Sequence, residues 1–303
     1  MYTKFLEHLS SFMKKEDIKI NEPMKKHTSF RVGGPAKIFL TVHSEEMLTK
    51  IILALKESKL PYFVLGNGSN LLVADQGYDG VMIYLGEEFA GVEVKGNEIK
   101  AGAAAFLGKI ARRALEEELT GLEFAAGIPG SIGGGAVMNA GAYGGELSQV
   151  VTRIRAMDEE GKILLLEKND LLMGYRTSIF KTKPYIILEV YMVLEKGNSA
   201  EISGKMEEYT KARIEKQPLE YPSAGSTFKR PEGHFAGKLI MDAGLRGFSV
   251  GDAQVSEKHC GFVINKGNAT ATEICTLMDE VAKKVKEEFG VQLEPEVILL
   301  GVQ

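Results

Sequence analysis

The sequence predicts a mixed α+β protein built from two units. Three observations carry that reading. Apolar residues switch between strand-like runs and helix-like spacing along the first two hundred positions. A small polar break, Lys196-Gly197-Asn198-Ser199, has a strand pattern before it and a helix pattern after it. The length of 303 residues suggests about two domains at roughly 150 residues each. A chain this long buries roughly three quarters of the surface it exposes when unfolded, so it needs no staples. The break divides it into residues 1–198 and 199–303.

Each element has a local cause. Phe5, Leu6, Leu9, Phe12 and Met13 fall at helical spacing among charges, which is not the pattern of a secretory leader. Ser44 caps a helix whose face is Met47, Leu48, Ile51, Ile52 and Leu55. Pro61 breaks that pattern, and Tyr62–Leu65 is a short strand ending at Gly66. Val81–Leu85 is another strand, followed by a hairpin about Gly96-Asn97. Phe106, Leu107, Ile110, Ala111, Ala114 and Leu115 mark a second amphipathic helix. Strands follow at Val151–Met157, Ile163–Leu166 and Ile186–Val193. Beyond the break come a helix with Ile202, Met206 and Tyr209, then an irregular segment, then strands near Gly261–Asn265 and Val297–Leu300. Between those strands, Thr270 and Glu273 form a capping box. Ile274, Leu277, Met278, Val281 and Val285 make the stripe of that helix, and Gly290 stops it.

Composition narrows function. Thirty-seven Lys and Arg against 41 Asp and Glu give a net charge of −4 and a pI near 5.9. That balance argues against a nucleic-acid binder, whose footprint is basic. With 44% hydrophobic and 26% charged residues the chain is an ordinary globular protein, expected in the cytoplasm. Cys260 and Cys275 read as reduced, small hydrophobes. The five histidines, at 8, 27, 43, 234 and 259, show no metal-ligand spacing, so no metal site is expected. No charge occurs from Phe124 to Gly145, yet Pro129 and eight glycines make this stretch a poor membrane helix.

Two glycine-rich segments point to a cofactor. Leu65-Gly66-Asn67-Gly68-Ser69-Asn70-Leu71 follows a strand, and its backbone N–H groups could converge on a phosphate. It matches neither a dinucleotide fingerprint nor a Walker loop, and on spacing alone a tight turn between strands is the better reading. The tract from Ala126 to Gly144 carries more glycine than a turn needs, each costing about 0.5–1 kcal/mol relative to Ala in regular structure. A backbone threading past a large flat ligand accounts for it. Arg176, within Gly174-Tyr175-Arg176-Thr177-Ser178, is either a surface cation with a buried stem or a fixed cation for a carboxylate or oxyanion. Ser226 lies beside a glycine but outside the hydrolase elbow pattern, so a turn-forming serine is the plain alternative. Glu296 enters the final strand, where an acid is usually solvated.

Taken together these segments resemble the UDP-N-acetylenolpyruvoylglucosamine reductase family, flavoenzymes of peptidoglycan precursor synthesis. The resemblance runs from about His27 to the C-terminus. It rests on HTSFRVGGPA (27–36), LGNGSNLL (65–72), AAGIPGSIGGGAVMNAGAYG (125–144), GYRTSIFK (174–181), PSAGSTFKRP (222–231) and LEPEV (293–297), in that order. It implies a two-lobed FAD-binding region of the vanillyl-alcohol-oxidase-like type, with lobes of about 1–85 and 86–198. A smaller α+β substrate domain would occupy 199–303. It implies non-covalent FAD held by Leu65, Gly66, Asn67, Gly68, Ser69, Asn70 and Leu71. The second group of cofactor contacts would be Ala126, Pro129, Gly130, Ser131, Gly133, Gly134, Asn139, Ala140, Gly141 and Tyr143.

The implied reaction is NADPH-dependent reduction of UDP-N-acetylglucosamine enolpyruvate to UDP-N-acetylmuramate, with hydride passing from flavin N5 to the alkene. Arg176 and Glu296 would stabilise the resulting intermediate and Ser226 would protonate it. Tyr175, Arg213, Lys216, Lys229 and His259 would meet the sugar nucleotide. The short stretch from Lys196 to Pro218 leaves little room for the mobile tyrosine loop that some members carry, which implies the form lacking it. An FAD oxidase of the same fold and a non-catalytic flavin or sugar-nucleotide binding module are the competing readings. No nucleic acid and no membrane insertion are expected.

Overall fold

In the computed structural model, which describes residues 2–302, the chain divides into two units that interleave in sequence. The first takes residues up to Ile20, then Ile38–Gly66 and Gly80–Ala212; the second takes Asn21–Lys37, Asn67–Asp79 and the chain from Arg213 onward. The helices of the first unit are α1 (Tyr2–Leu9), α2 (Glu45–Ser58), α3 (Leu107–Glu116), α4 (Ile132–Val137) and most of α5 (Ser199–Lys216). Those of the second are α6 (Ala236–Asp242) and α7 (Ala271–Phe289).

The polar break at 196–199 is not where the units change over; that happens inside α5, between Ala212 and Arg213. Asn198 explains the break physically. Its Oδ1 accepts from the backbone N–H groups of Ala200 at 2.9 Å and Glu201 at 3.2 Å, so the small polar residues are a helix start. From there α5 is continuous for 18 residues, occupying nearly all of the stretch up to Pro218.

Two sheets lie on either side of Gly86. The four-stranded sheet orders Ile18–Pro23, Pro35–Val42, Tyr78–Leu85 and Tyr62–Leu65, the last two parallel. The five-stranded sheet orders Ile163–Glu167, Val151–Met157, Ile186–Val193, Glu98–Gly102 and Val92–Lys95, all antiparallel. Its tight hairpin turns at Gly96-Asn97, with Gly96 at φ +65°. One apolar core joins the two sheets of this unit, running from Ile38, Leu40, Ile83 and Leu55 to Ile99, Ile110, Ile154 and Val190.

The helix starts follow their caps. Ser44 Oγ accepts from Met47 N at 3.1 Å, and Leu48, Ile51, Ile52 and Leu55 of α2 are buried. The α3 face begins at Leu107, not Phe106: Phe106 holds the extended cap position with its ring half exposed. In α1 the regular helix stops at Leu9, and Met13 is carried into the core by a turn, its N–H donating to Leu9 O at 2.8 Å. The short helix α4 lies in the glycine-rich tract, where three of its six residues are glycine and the spacing gives no helix signal.

In the second unit α7 has the expected capping box, Thr270 Oγ1 accepting from Glu273 N at 3.1 Å and Glu273 Oε2 from Thr270 N at 2.9 Å. Its whole stripe is buried and Gly290, at φ +69°, ends it. The stretch Asn67–Asp79 belongs here for two reasons. Leu71–Val73 pairs in parallel with Ile298–Leu300, and the Asp75 carboxylate accepts from Ala271 N at 2.7 Å and Thr272 N at 2.9 Å at the start of α7. Partial burial pushes the Asp75 carboxyl up, but the hydrogen bonds from Thr272 and Ala271 outweigh it and hold it below its ordinary value. Among the described residues no helix is long and apolar enough to cross a membrane.

His43, in the first unit, joins three segments. Its Nε2 lies 2.8 Å from Asp17 Oδ1 and its Nδ1 3.0 Å from Glu88 Oε2. The hydrogen bonds to Asp17 and then Glu88 raise its pKa above the ordinary 6.5. A raised folded-state value means the contribution is complete below the unfolded value and fades as pH rises through the folded one. Replacing His43 with Gln is therefore expected to destabilise the protein at about pH 6 and progressively less above about pH 7. Urea denaturation of both proteins across that range checks it, and a difference that grows with pH contradicts the assignment.

Candidate functional site

The site begins with close backbone packing in the glycine-rich tract. Ser131 caps α4, its Oγ accepting from Gly134 N at 3.3 Å. The next two donors go to the neighbouring chain, Ile132 N to Ala105 O at 2.8 Å and Gly133 N to Ala103 O at 2.9 Å. The first N–H groups of α4 thus have protein acceptors. A Cβ at Gly133 would stand 2.9 Å from Ala103 O, and one at Gly141 2.6 Å from Gly145 O. A Cβ at Gly145 would strike the Phe124 ring, and one at Gly135 would press on Leu107 and Leu147 at 3.2 Å.

The protein's own packing is enough to require glycine at these four positions. Gly134 differs. It is exposed, its added Cβ would meet only Ser131 Oγ at 3.5 Å, an ordinary contact, and its helical backbone does not require glycine. Glycine at an exposed helix position costs about 1 kcal/mol relative to Ala. Nothing in the protein repays that cost, so the bare face of α4 fits a flat group lying against it.

Gly66 lies beside this face: its Cβ would meet Ser131 Oγ at 2.8 Å. The loop that continues from it enters the second unit at Asn67, where Gly68 runs flush against His27 and Thr28. Asn70 Nδ2 donates to Glu296 O at 3.1 Å, which attaches the loop to the segment carrying one of the expected catalytic residues. Of the other expected cofactor contacts, Ala126 is half-buried, Pro129 exposed, and Gly130, Ala140, Leu65 and Leu71 buried. Tyr143, at φ +53°, is exposed and stacks on Tyr209 of α5 with ring centroids 4.6 Å apart. Asn139 is fully buried with both ends of its amide bonded to protein.

Arg176 belongs to the first unit, on a two-residue turn closed by Gly174 and Thr177, which exchange backbone hydrogen bonds at 3.1 and 3.2 Å. Its φ is +53°, a region that favours glycine. The guanidinium donates to Gly141 O at 3.4 Å and lies 5.3 Å from the centre of the exposed Tyr175 ring.

Ser226 and Glu296 belong to the second unit, and backbone pairing sets Thr227, next to Ser226, opposite Glu296. Glu296 N donates to Thr227 O and Lys229 N to Glu294 O, both at 2.8 Å, with Phe228 bridged to Pro295. Ser226 is exposed and Glu296 half-buried. Lys229 Nζ pairs with Glu294 Oε2 at 2.9 Å. Arg213 and Lys216 are on the last turn of α5. His259 is packed against Gly237 and Gly261, and its Nδ1 accepts from Gly261 N at 3.1 Å. Burial lowers its pKa, so the ring is neutral near pH 7 and carries its proton on Nε2. A cleft of about 210 Å³ elsewhere in the first unit, lined by His43, Glu88, Lys100 and Glu189 among others, contains none of these residues.

Comparison with known proteins gives two domain matches. Residues 217–300 match the UDP-N-acetylenolpyruvoylglucosamine reductase C-terminal domain, and residues 36–167 match an FAD binding domain. The UDP-N-acetylenolpyruvoylglucosamine reductase of Caldanaerobacter subterraneus subsp. tengcongensis is 50% identical over 296 residues, 98% of each chain. The crystal structure of UDP-N-acetylenolpyruvylglucosamine reductase from Thermus caldophilus superposes with a TM-score of 0.80 at 35% identity, covering 93% of this chain and 98% of that one. The p-cresol methylhydroxylase structure shares the fold alone, with a TM-score of 0.50 and 10% identity over 97% of this chain and 65% of that one.

The two neighbouring glycines of α4 give a direct check on the packing argument. Gly133→Ala is expected to cost about 1–3 kcal/mol, because its methyl must displace backbone. Gly134→Ala is expected to leave stability unchanged or raise it by up to about 1 kcal/mol. Thermal and urea unfolding of the two variants measures both, and equal losses would contradict the distinction.

Proposed function

This chain belongs to the UDP-N-acetylenolpyruvoylglucosamine reductase family, and we propose that it reduces UDP-N-acetylglucosamine enolpyruvate to UDP-N-acetylmuramate at the expense of NADPH. It is an FAD-dependent oxidoreductase. Bound FAD supplies the hydride for the enolpyruvyl double bond and is recharged by NADPH. Everything else falls to the chain's own residues. Leu65–Leu71 and the tract from Ala126 to Tyr143, apart from the Asn139 side chain, would hold the cofactor, and the bare face at Gly134 leaves room for a flat group.

Reduction at the terminal alkene carbon leaves negative charge on the neighbouring carbon and its carboxylate. Such an enolate needs preorganised positive charge and a proton. Arg176 supplies the charge, its planar fork matching a carboxylate. Ser226 supplies the proton, which a serine can give only because the carbanion is the stronger base. Glu296 helps when protonated, or by donating through a neighbour, since a bare carboxylate would repel the enolate. The observation that supports these assignments is the backbone pairing of Thr227–Lys229 with Glu294–Glu296, which brings the segment that begins at Ser226 against the one that carries Glu296. Arg213, Lys216 and Lys229 offer cations to the diphosphate, Lys229 exchanging its partner Glu294 for it. Tyr175 contributes an exposed ring and His259 a neutral N–H donor. With a nucleotide sugar as substrate and NADPH as reductant, we place the reaction in the cytoplasm, in peptidoglycan precursor synthesis. Through the cell wall it serves cell shape and division.

Ser226→Ala tests the proton donor. Reduction of the flavin by NADPH is expected to survive within about twofold, while reoxidation by the enolpyruvyl sugar nucleotide slows by about 10²–10⁴. Stopped-flow absorbance separates the two half-reactions. Normal reoxidation in the variant would overturn the assignment. Gly134→Ala tests the cofactor face: it is expected to bind FAD at least about tenfold more weakly without loss of stability, and unchanged FAD affinity would contradict the placement.

A further inference from the structure

We propose that Asn139 is the positioning residue for Arg176, an inference that rests on the role just given to Arg176 and goes beyond it. Asn139 has a fully buried side chain, and each end of its amide meets the partner its chemistry demands. Nδ2 donates to Gly174 O at 3.0 Å, and Oδ1 accepts from Ser148 N at 2.8 Å. A carbonyl on one side and an N–H on the other leave only one orientation for the amide. Asn139 itself is at φ +46°, a conformation asparagine tolerates better than most residues.

The carbonyl it holds is the first residue of the Arg176 turn. Arg176 has a side chain on a backbone at φ +53°, and conformations of this kind persist only where the surroundings over-determine them. Asn139 supplies one constraint. Ser178, just past the turn and also buried, supplies another: its Oγ donates to Val137 O at 2.7 Å. The guanidinium contact with Gly141 O at 3.4 Å is a third. The segments 137–148 and 174–178 are thus laced together on both sides of Arg176. Asn139 sits at the centre of that lacing and cannot offer its amide to a ligand. Sequence reading counts Asn139 among the cofactor contacts; the structure assigns its side chain to the protein.

Asn139→Asp is the sharpest test because it keeps shape and the acceptor for Ser148 but sets a carboxylate against the Gly174 carbonyl. Four readouts separate positioning from a merely structural or cofactor role. FAD content and flavin reduction by NADPH are expected to stay within about twofold, while reoxidation by the enolpyruvyl sugar nucleotide slows by about 10–100-fold, the scale of a misplaced catalytic group. Amide hydrogen exchange at Gly174 and Thr177 is expected to accelerate while the strands Val151–Met157 and Ile186–Val193 keep their protection. In an Arg176→Ala background the same substitution is expected to slow reoxidation by less than about threefold, because the two residues act as one unit.

Loss of FAD, or equal slowing of both half-reactions, would overturn the proposal in favour of a cofactor or folding role. Unchanged exchange at Thr177 would overturn it outright. If Arg176→Ala alone leaves reoxidation intact, the reading of Arg176 fails, while the exchange data still decide whether Asn139 holds the turn. Should Asn139→Asp not fold, Ser178→Ala removes the adjoining constraint. The same selective slowing, smaller in size, is then expected, and no slowing would count against the proposal.

Discussion

The first unit depends on how closely the backbone of 131–145 approaches its own core. At Gly133 and Gly141 the distance is too short for any side chain, and at Gly145 the Phe124 ring fills the space a Cβ would take. Close packing of this kind transmits position faithfully, since interiors have little room to relax. It fixes α4, and α4 in turn presents the single bare position at Gly134. Where the backbone lies that near its neighbours, nearly every polar group must find a protein partner. The donors of Ile132, Gly133 and Gly134, and both ends of Asn139, do so.

The same constraint reaches the chemistry through Asn139. A cation for an enolate must be held before the charge develops, or the cost of organising it returns to the barrier. The turn at 174–177 has the rigidity that the proposed role of Arg176 requires, with a non-glycine residue in a left-handed conformation and a buried amide as its anchor. In the second unit a different device serves Ser226 and Glu296. Their segments pair by backbone hydrogen bonds, and Asn70 bonds to the Glu296 carbonyl, so the loop after Gly66 and the last strand share one support. Asp75 at the start of α7 ties that loop's continuation into the same unit.

Much of this was legible in the sequence where a local signal exists. The caps Ser44 and Thr270, the stripe from Ile274 to Val285 and the stop at Gly290 are one-residue causes of helix boundaries, and each acts as such. Phe106 falls outside its helix because spacing cannot tell the first helical residue from the cap before it. The polar break at Asn198 signals a helix start, which composition alone does not distinguish from a linker. The interleaving of the units depends on Asp75 and on a parallel pair joining residues over two hundred positions apart, and no local pattern announces either. In the candidate site, the motifs single out Arg176, Ser226 and Glu296 as proposed catalytic residues, but glycine count alone does not separate Gly133, which packs, from Gly134, which is bare. Nor could it show that the Asn139 amide faces protein. The one available signal was its residue type, an asparagine able to adopt positive φ beside a run of glycines.

An anaerobic absorbance titration of the purified protein, first with NADPH and then with the enolpyruvyl sugar nucleotide, tests both half-reactions at once. Flavin bands are expected to bleach with NADPH and to return with the sugar nucleotide in the absence of oxygen. Bands that return only when oxygen is admitted, or a protein that takes up no FAD, would contradict the proposed reaction.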